Sequence, residues 1–343
     1  MPNSSETVLH RLLEAAGAER HPAELLAMVA VRAELVEARG EAASRAVIAQ
    51  AMNLALLDDL LQRVPTGRAY VEDTVAEGRR LVFDHGALRT VDLAGMGALP
   101  AGRLAITRVL EPLGYSLSAV YPLGRLGMTG RSYTQADFPE DLPQFFVSEL
   151  HPGRFSSRFQ GAVARVTANS RDPLNAEDLR RLDRLGARGE LPIADAEALL
   201  PKLLSCFSRR HSTPQLSDYE ILLAESAEMA WIATEGAAFN HATDRVADLD
   251  AVVERQRRLG RPLKDRIEVS RSGRVKQTAF KADRVERDFL DAEGHVIHRQ
   301  CPGSFFEFIE RETLADARTG AQRLDLGFDS GNAQGIFKMT EAA

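Results

Sequence analysis

Cysteine is nearly absent. Cys206 and Cys301 are the only two in 343 residues, far apart in sequence, so a disulfide framework is excluded and reduced thiols in the cytoplasm are expected. No run of 18 apolar residues occurs, so no membrane span is expected. The opening MPNSSETVLHRLLEAAGAERHPAELL lacks a basic region followed by an apolar stretch, and no secretion signal is expected. Excess positive charge is missing as well: the net charge is −6, which argues against nucleic acid as a partner. What is there is ordinary globular composition, 44% hydrophobic and 27% charged, with length for one large domain or two.

Residues 4–63 carry helical periodicity, with Leu9, Leu12, Leu13 and Ala16 on one stripe and Leu54, Leu57 and Leu61 on another. Pro22 and Gly40 bracket one helix, and Pro65 with Gly67 break the pattern. From residue 80 the texture changes to strand (80–93), helix (102–114), then strands over 115–123, 130–136 and 144–150. Residues 172–230 read as helices again, the first capped by Asn175. The earlier order then returns: strand at 237–249, helix at 250–260, a bent strand or hairpin around Gly273, a hairpin turning at Glu293-Gly294, and a last strand SFFEFIERE. Four segments follow: helical 1–65, a first module 66–171, a helical insertion 172–235, and a second module with a terminal segment, 236–343.

The two modules look like copies of one unit. The first strands carry HGALR (85–89) and HATDR (241–245); the last strands carry FFVSEL (145–150) and FFEFIE (305–310). The spacing from histidine to the first phenylalanine is 60 residues in one and 64 in the other. Paired modules pack symmetrically, so His85 and His241 can meet across 156 residues of sequence. Alternation along a strand turns Arg89 to the same side as His85, and Arg245 to that of His241. Aligning the Phe-Phe pairs sets Val147 against Glu307, so two equivalent histidines face a single carboxylate. Two imidazoles and one carboxylate are the ligand set of mononuclear non-haem iron oxygenases. The alternatives are plainer: a strand histidine with an ordinary hydrogen-bond partner, and a Glu307 that faces water. His10, His21 and His211 read as surface residues, His295 and His298 as exposed beside a turn, and His151 as a weaker ligand candidate.

FDHGALRTV, FNHATDRV, SRSGRVKQT and PGSFFEFIER together resemble the DUF1338 family of 2-oxoadipate dioxygenase/decarboxylases (hydroxyglutarate synthases), over roughly residues 60–341. That family is similar to the vicinal oxygen chelate superfamily. The resemblance implies an α+β fold in which two βαβββ modules form a half-closed barrel, with the N-terminal helices and the helical insertion added. It implies Fe(II) held by His85, His241 and Glu307, with Arg89 binding a substrate carboxylate. It implies Gln277 as a catalytic or substrate-binding amide, and Ser304 and Phe328 as pocket-lining positions. The implied reaction uses O₂ to convert 2-oxoadipate to 2-hydroxyglutarate and CO₂, a step of lysine catabolism. GFDSGNAQGIFKMTE (327–341) is similar to the terminal segment of 4-hydroxyphenylpyruvate dioxygenase, which closes over its site. The chain is more compact than several members of the family, which bears on the substrate more than on the metal. Two competing readings stay open: another metal-dependent enzyme on this scaffold, such as an extradiol or 4-hydroxyphenylpyruvate-type dioxygenase, and a non-catalytic small-ligand binding protein. The number of subunits is not legible.

Overall fold

The computed structural model describes residues 6–315 and 320–329. Eight strands make one curled sheet: β1 (Phe83–Val91), β2 (Tyr115–Leu123), β3 (Met128–Gln135), β4 (Gln144–Leu150), β5 (His241–Arg245), β6 (Glu268–Val269), β7 (Val275–Ala279) and β8 (Phe305–Arg311). Their order across the sheet is β2-β3-β4-β1-β5-β8-β7-β6. β1 runs parallel to β4, β5 parallel to β8, and β1 antiparallel to β5. A pseudo-twofold axis therefore passes between β1 and β5 and maps one βαβββ unit onto the other. The expected α+β half-barrel is the observed fold, with β6 and β7 forming the hairpin around Gly273. The second expected hairpin, Arg284–Leu290 with Val296–Pro302, is a separate two-stranded sheet inserted before β8.

The core lies on both faces of the sheet. β1 and β4 are buried at every position, as strands covered on both sides must be. On the convex face, Leu88, Phe145, Val147, Ala242, Phe306 and Phe308 join the helices Val8–Ala16, Arg45–Arg63 and Ile193–Ser205 in one apolar cluster. Arg45–Arg63 is buried almost all round, as a helix sandwiched between layers is. Toward the concave side, Val91 and Leu150 pack with the helices Ser157–Thr167, Leu216–Glu225 and Ala227–Glu235, and with Phe289 and Cys301 of the inserted hairpin.

The break expected at Pro65 and Gly67 is present: the helix Arg45–Arg63 ends before Val64, and Pro65 opens a second helix, Pro65–Ala76, where proline at a first-turn position forfeits no hydrogen bond. Gly67 is required there because a Cβ would lie 2.9 Å from that of Phe306. Pro22 does start a helix, but it ends at Met28, where Val29 turns extended to pair with Leu81, and Ala33–Val36 is a separate turn. Within the expected helical insertion, SDYEILLAESAEMAW forms parts of two helices, parted at Ser226, whose hydroxyl accepts from Met229 N and caps the second. Asn175 is the expected cap, completed by Asp178 into a capping box. Both cysteines are free and buried. Among the described residues no helix is long and apolar enough to cross a membrane.

Candidate metal centre

The central strands deliver the site by register. His85 pairs with Thr243, Ala87 with His241, His241 with Phe305, and Thr243 with Glu307. Cross-strand partners share a face, so His85, His241, Thr243 and Glu307 all point into the concave side. His241 Nε2 lies 2.9 Å from Glu307 Oε2, and His85 Nε2 lies 3.5 Å from the same oxygen. Thr243 Oγ1 donates to Oε2 at 3.1 Å and sits 3.2 Å from His85 Nε2. The three side chains offer ligand atoms within 4.8 Å of one another. Of the four such clusters among the described residues, this alone is buried at all three positions.

The sister strand departs from the expected alignment. β4 pairs Gln144 with His85 and Phe146 with Ala87, whereas β8 pairs Phe305 with His241 and Glu307 with Thr243. The symmetry partner of Glu307 is therefore Phe146, not Val147. The two Phe-Phe pairs are out of frame by one residue, and a one-residue slip exchanges faces. Val147 belongs to the convex core, while Phe146 lines the concave side with Ala87, Tyr121 and Phe328. The site is asymmetric because one half supplies Thr243 and Glu307 where the other supplies Ala87 and Phe146.

The electrostatics make this centre a good fit for a cation. Glu307 is 1% exposed, and its Oε1 has no hydrogen-bond partner among the described residues; a buried acceptor left so is costly. Burial alone would raise its pKa, but the charge and hydrogen bond of His241, with those of His85, hold it at about 2. Burial lowers His241, against the pull of Glu307 and with help from the positive charges of His85 and Arg89. Burial likewise works against a charged His85, but its hydrogen bonds to Asp84 and Glu307 outweigh that and raise it. The arrangement is an anion facing two imidazoles.

Each imidazole is held from behind by the residue preceding it in sequence. Asp84 Oδ1 accepts from His85 Nδ1 at 2.8 Å, which leaves Nε2 of that ring as the available ligand nitrogen. At His241 it is the Asn240 amide nitrogen, Nδ2, that lies 2.9 Å from Nδ1 and holds the orientation of the ring. A register irregularity in β1 between Phe83 and His85 accompanies the turn of Asp84 toward its neighbour. Asp84 and Asn240 were missed in the sequence, although the matched pairs Asp-His and Asn-His were there to read. Thr243 and Arg311 were missed too, each two or four positions along a strand from a named ligand.

The remaining candidates are placed variously. Arg89 shares the concave side; its guanidinium pairs with Glu228 at 2.7 Å and lies 4.6 Å from the centre of the Trp231 ring. Gln277 pairs with Ile309, two residues beyond Glu307, and so faces the same side as the acid. Phe328 meets His85 edge-on at 4.9 Å and Phe146 at 5.2 Å. Ser304 is committed elsewhere: it donates to Phe239 O at 2.8 Å and accepts from Arg63 at 2.7 Å. Arg245 donates to Glu140 O and lies 3.8 Å from Asp84. His151 holds Thr129 and Asp92, away from the triad. His295 and His298 are exposed as expected, paired with Asp291 and Asp288. His211 is not a surface residue: it is half-buried, with Nε2 donating to Ala233 O, and burial lowers it to about 4. The terminal stretch beyond Asp329, expected to close over the site, lies outside the described residues.

Comparison with known proteins agrees with this architecture. The family model for 2-oxoadipate dioxygenase/decarboxylase matches residues 48–326. The chloroplastic 2-oxoadipate dioxygenase/decarboxylase of Arabidopsis thaliana is 25% identical over 82% of this chain and 74% of its own length. A solved structure from Ralstonia eutropha JMP134, assigned to the glyoxalase superfamily, is 54% identical, with a TM-score of 0.88, over 94% of this chain and 98% of that one. The hydroxyglutarate synthase of Oryza sativa, solved in complex with 2-oxoadipate, has the same fold at 21% identity, with a TM-score of 0.65, over 87% of this chain and 93% of that one. The chain belongs to the 2-oxoadipate dioxygenase/decarboxylase family.

Proposed function

We propose that this protein is a cytoplasmic Fe(II)-dependent dioxygenase that decarboxylates and hydroxylates a 2-oxo acid, with 2-oxoadipate as substrate. The reaction balances as 2-oxoadipate plus O₂ giving 2-hydroxyglutarate plus CO₂. The observation that carries the reading is the buried convergence of His85, His241 and Glu307, with a carboxylate oxygen left unpartnered, in a chain of this family.

His85 Nε2, His241 Nε2 and Glu307 would hold the metal, and the single carboxylate lowers the net charge of the site. Fe(II) supplies the capacity to bind a chelating 2-oxo acid and to activate O₂. The protein's task is to hold, orient and keep dry. Asp84 fixes the His85 tautomer that leaves Nε2 free, and Asn240 holds the orientation of the His241 ring. Arg89, positioned by Glu228 and Trp231, offers a planar fork suited to a substrate carboxylate. Gln277, on the same face as Glu307, offers an amide for a second polar contact. Phe146 and Phe328 are the apolar wall that excludes water beside His85. Ser304 enters as a brace between β8 and Arg63 rather than as a substrate contact.

The test is anaerobic reconstitution with Fe(II), followed by O₂ uptake and CO₂ release across a panel of 2-oxo acids. Matched O₂ uptake and CO₂ release with 2-oxoadipate is the expected result. O₂ uptake without CO₂ would mean ring-cleavage chemistry, turnover without O₂ an isomerase, and no turnover with any acid a binding protein; each rejects the proposal.

A further inference from the structure

Arg311 lies on β8 four residues after Glu307, and so on the same face. Its side chain is fully buried. Nε and Nη2 donate to the carboxylate of Asp84, at 2.9 Å each in their shorter contacts. Nη1 turns the other way and donates to the backbone carbonyls of Asp325 and Gly327, at 2.8 and 2.7 Å. The guanidinium lies 4.9 Å from the centre of the Phe328 ring. Asp84 in turn holds His85 Nδ1, and the Phe328 ring packs edge-on against the His85 ring. A closed loop of contacts results: His85, Asp84, Arg311, the 325–328 segment, and back through Phe328 to His85. The symmetry-equivalent position in the first half is Leu150, paired with Val91, so nothing in the strand's architecture demands an arginine at 311.

We infer that Arg311 is a positioning residue that couples the metal-ligating orientation of His85 to docking of the 325–328 segment over the site. The inference rests on the metal-site reading above. One planar group with donors on two edges does what two separate residues could not. It fixes the carboxylate behind the ligand and the backbone in front of it relative to each other. A metal that orders His85 through Nε2 then also orders the segment, and an undocked segment loosens the ligand. Lysine keeps the charge but has no fork, so it cannot serve both edges at once.

The test uses the full chain and Co(II), a spectroscopically visible divalent metal. Co(II) affinity is read from its absorption titration, and docking from hydrogen exchange at Asp325 and Phe328, whose amides donate to Glu312 O and the Tyr121 hydroxyl. In the wild type, Co(II) slows exchange at both amides. Arg311→Lys weakens Co(II) binding by about 10–100-fold, the range for partners behind a ligand, and abolishes the Co(II)-dependent slowing. Phe328→Ala, which deletes only a ring at the half-buried end of the loop, weakens Co(II) binding in the same direction and keeps the inference testable if the Arg311 variant fails to fold. If Arg311→Lys, or in its place Phe328→Ala, bound Co(II) like the wild type, the coupling would be wrong. A wild type that binds no Co(II) overturns the metal-site reading itself, and this inference with it, in an arm that involves no variant.

Discussion

Glu307→Gln separates a metal ligand from a structural acid more cleanly than any other change. The substitution keeps shape and removes charge. In the metal-free protein the acid is half of a buried pair, held at about 2 by His241 and His85, so neutralising it should cost about 3 kcal/mol whether or not it is a ligand. The metal-bound state behaves differently. At a metal concentration 100 times Kd, binding stabilises the wild type by about 2.7 kcal/mol. Partners behind a ligand already alter affinity by about 10–100-fold, so loss of a ligand is placed at about 100-fold. The stabilisation then falls to about 0.4 kcal/mol. With an unfolding entropy of about 2.1 cal/mol/K per residue, the metal-induced rise in Tm drops from about 4 °C to about 0.5 °C. Differential scanning calorimetry with and without Co(II) measures both halves. A Gln variant that keeps the 4 °C rise refutes the assignment.

Other outcomes follow from neighbouring features. Arg89→Lys should raise KM for the 2-oxo acid about tenfold or more, as loss of a charged hydrogen bond does, while Co(II) affinity stays unchanged; a fall in metal affinity would make Arg89 structural. Gly86→Ala should destabilise by about 1–3 kcal/mol in urea unfolding, because its Cβ would lie 2.3 Å from two ring atoms of Phe239, and unchanged stability would contradict that packing. His211 has its folded pKa lowered to about 4 by burial, so the unfolded chain binds its proton first. Its contribution is present above pH 6.5 and is lost as the pH falls toward 4, by of order 2 kcal/mol after discounting for partial exposure. His211→Gln, whose amide can still donate to Ala233 O, should flatten that limb of the pH–stability curve; an unaltered limb would place the titration elsewhere.

Much of the scaffold was written locally. HGALR and HATDR, together with FFVSEL and FFEFIE, marked the first and last strands of two modules, and those strands lie side by side at the centre of the sheet. Alternation then placed Arg89 with His85 without further information. The Asn175 cap and the Gly273 and Gly294 turns were likewise short-range chemistry. Pro65 marked the boundary after Arg63, but the second helix that starts there, with Gly67 packed against Phe306, was not legible in the sequence.

Sequence by itself determined the kinds of residue available to the site: two histidines in matched strands and one acid without a matched partner. It could not determine frame. Whether Glu307 answers to Val147 or to Phe146 depends on which backbone hydrogen bonds β4 and β8 make with β1 and β5, and a single-residue slip reverses every side chain. Tertiary structure alone decided that Asp84 turns onto His85, that Arg89 pairs with Glu228, and that Arg311 ties Asp84 to the backbone of Asp325 and Gly327. Those contacts join residues as much as 227 positions apart. Periodicity in a sequence carries no signal for them, because it reports the face a residue occupies and not what is brought to stand against it.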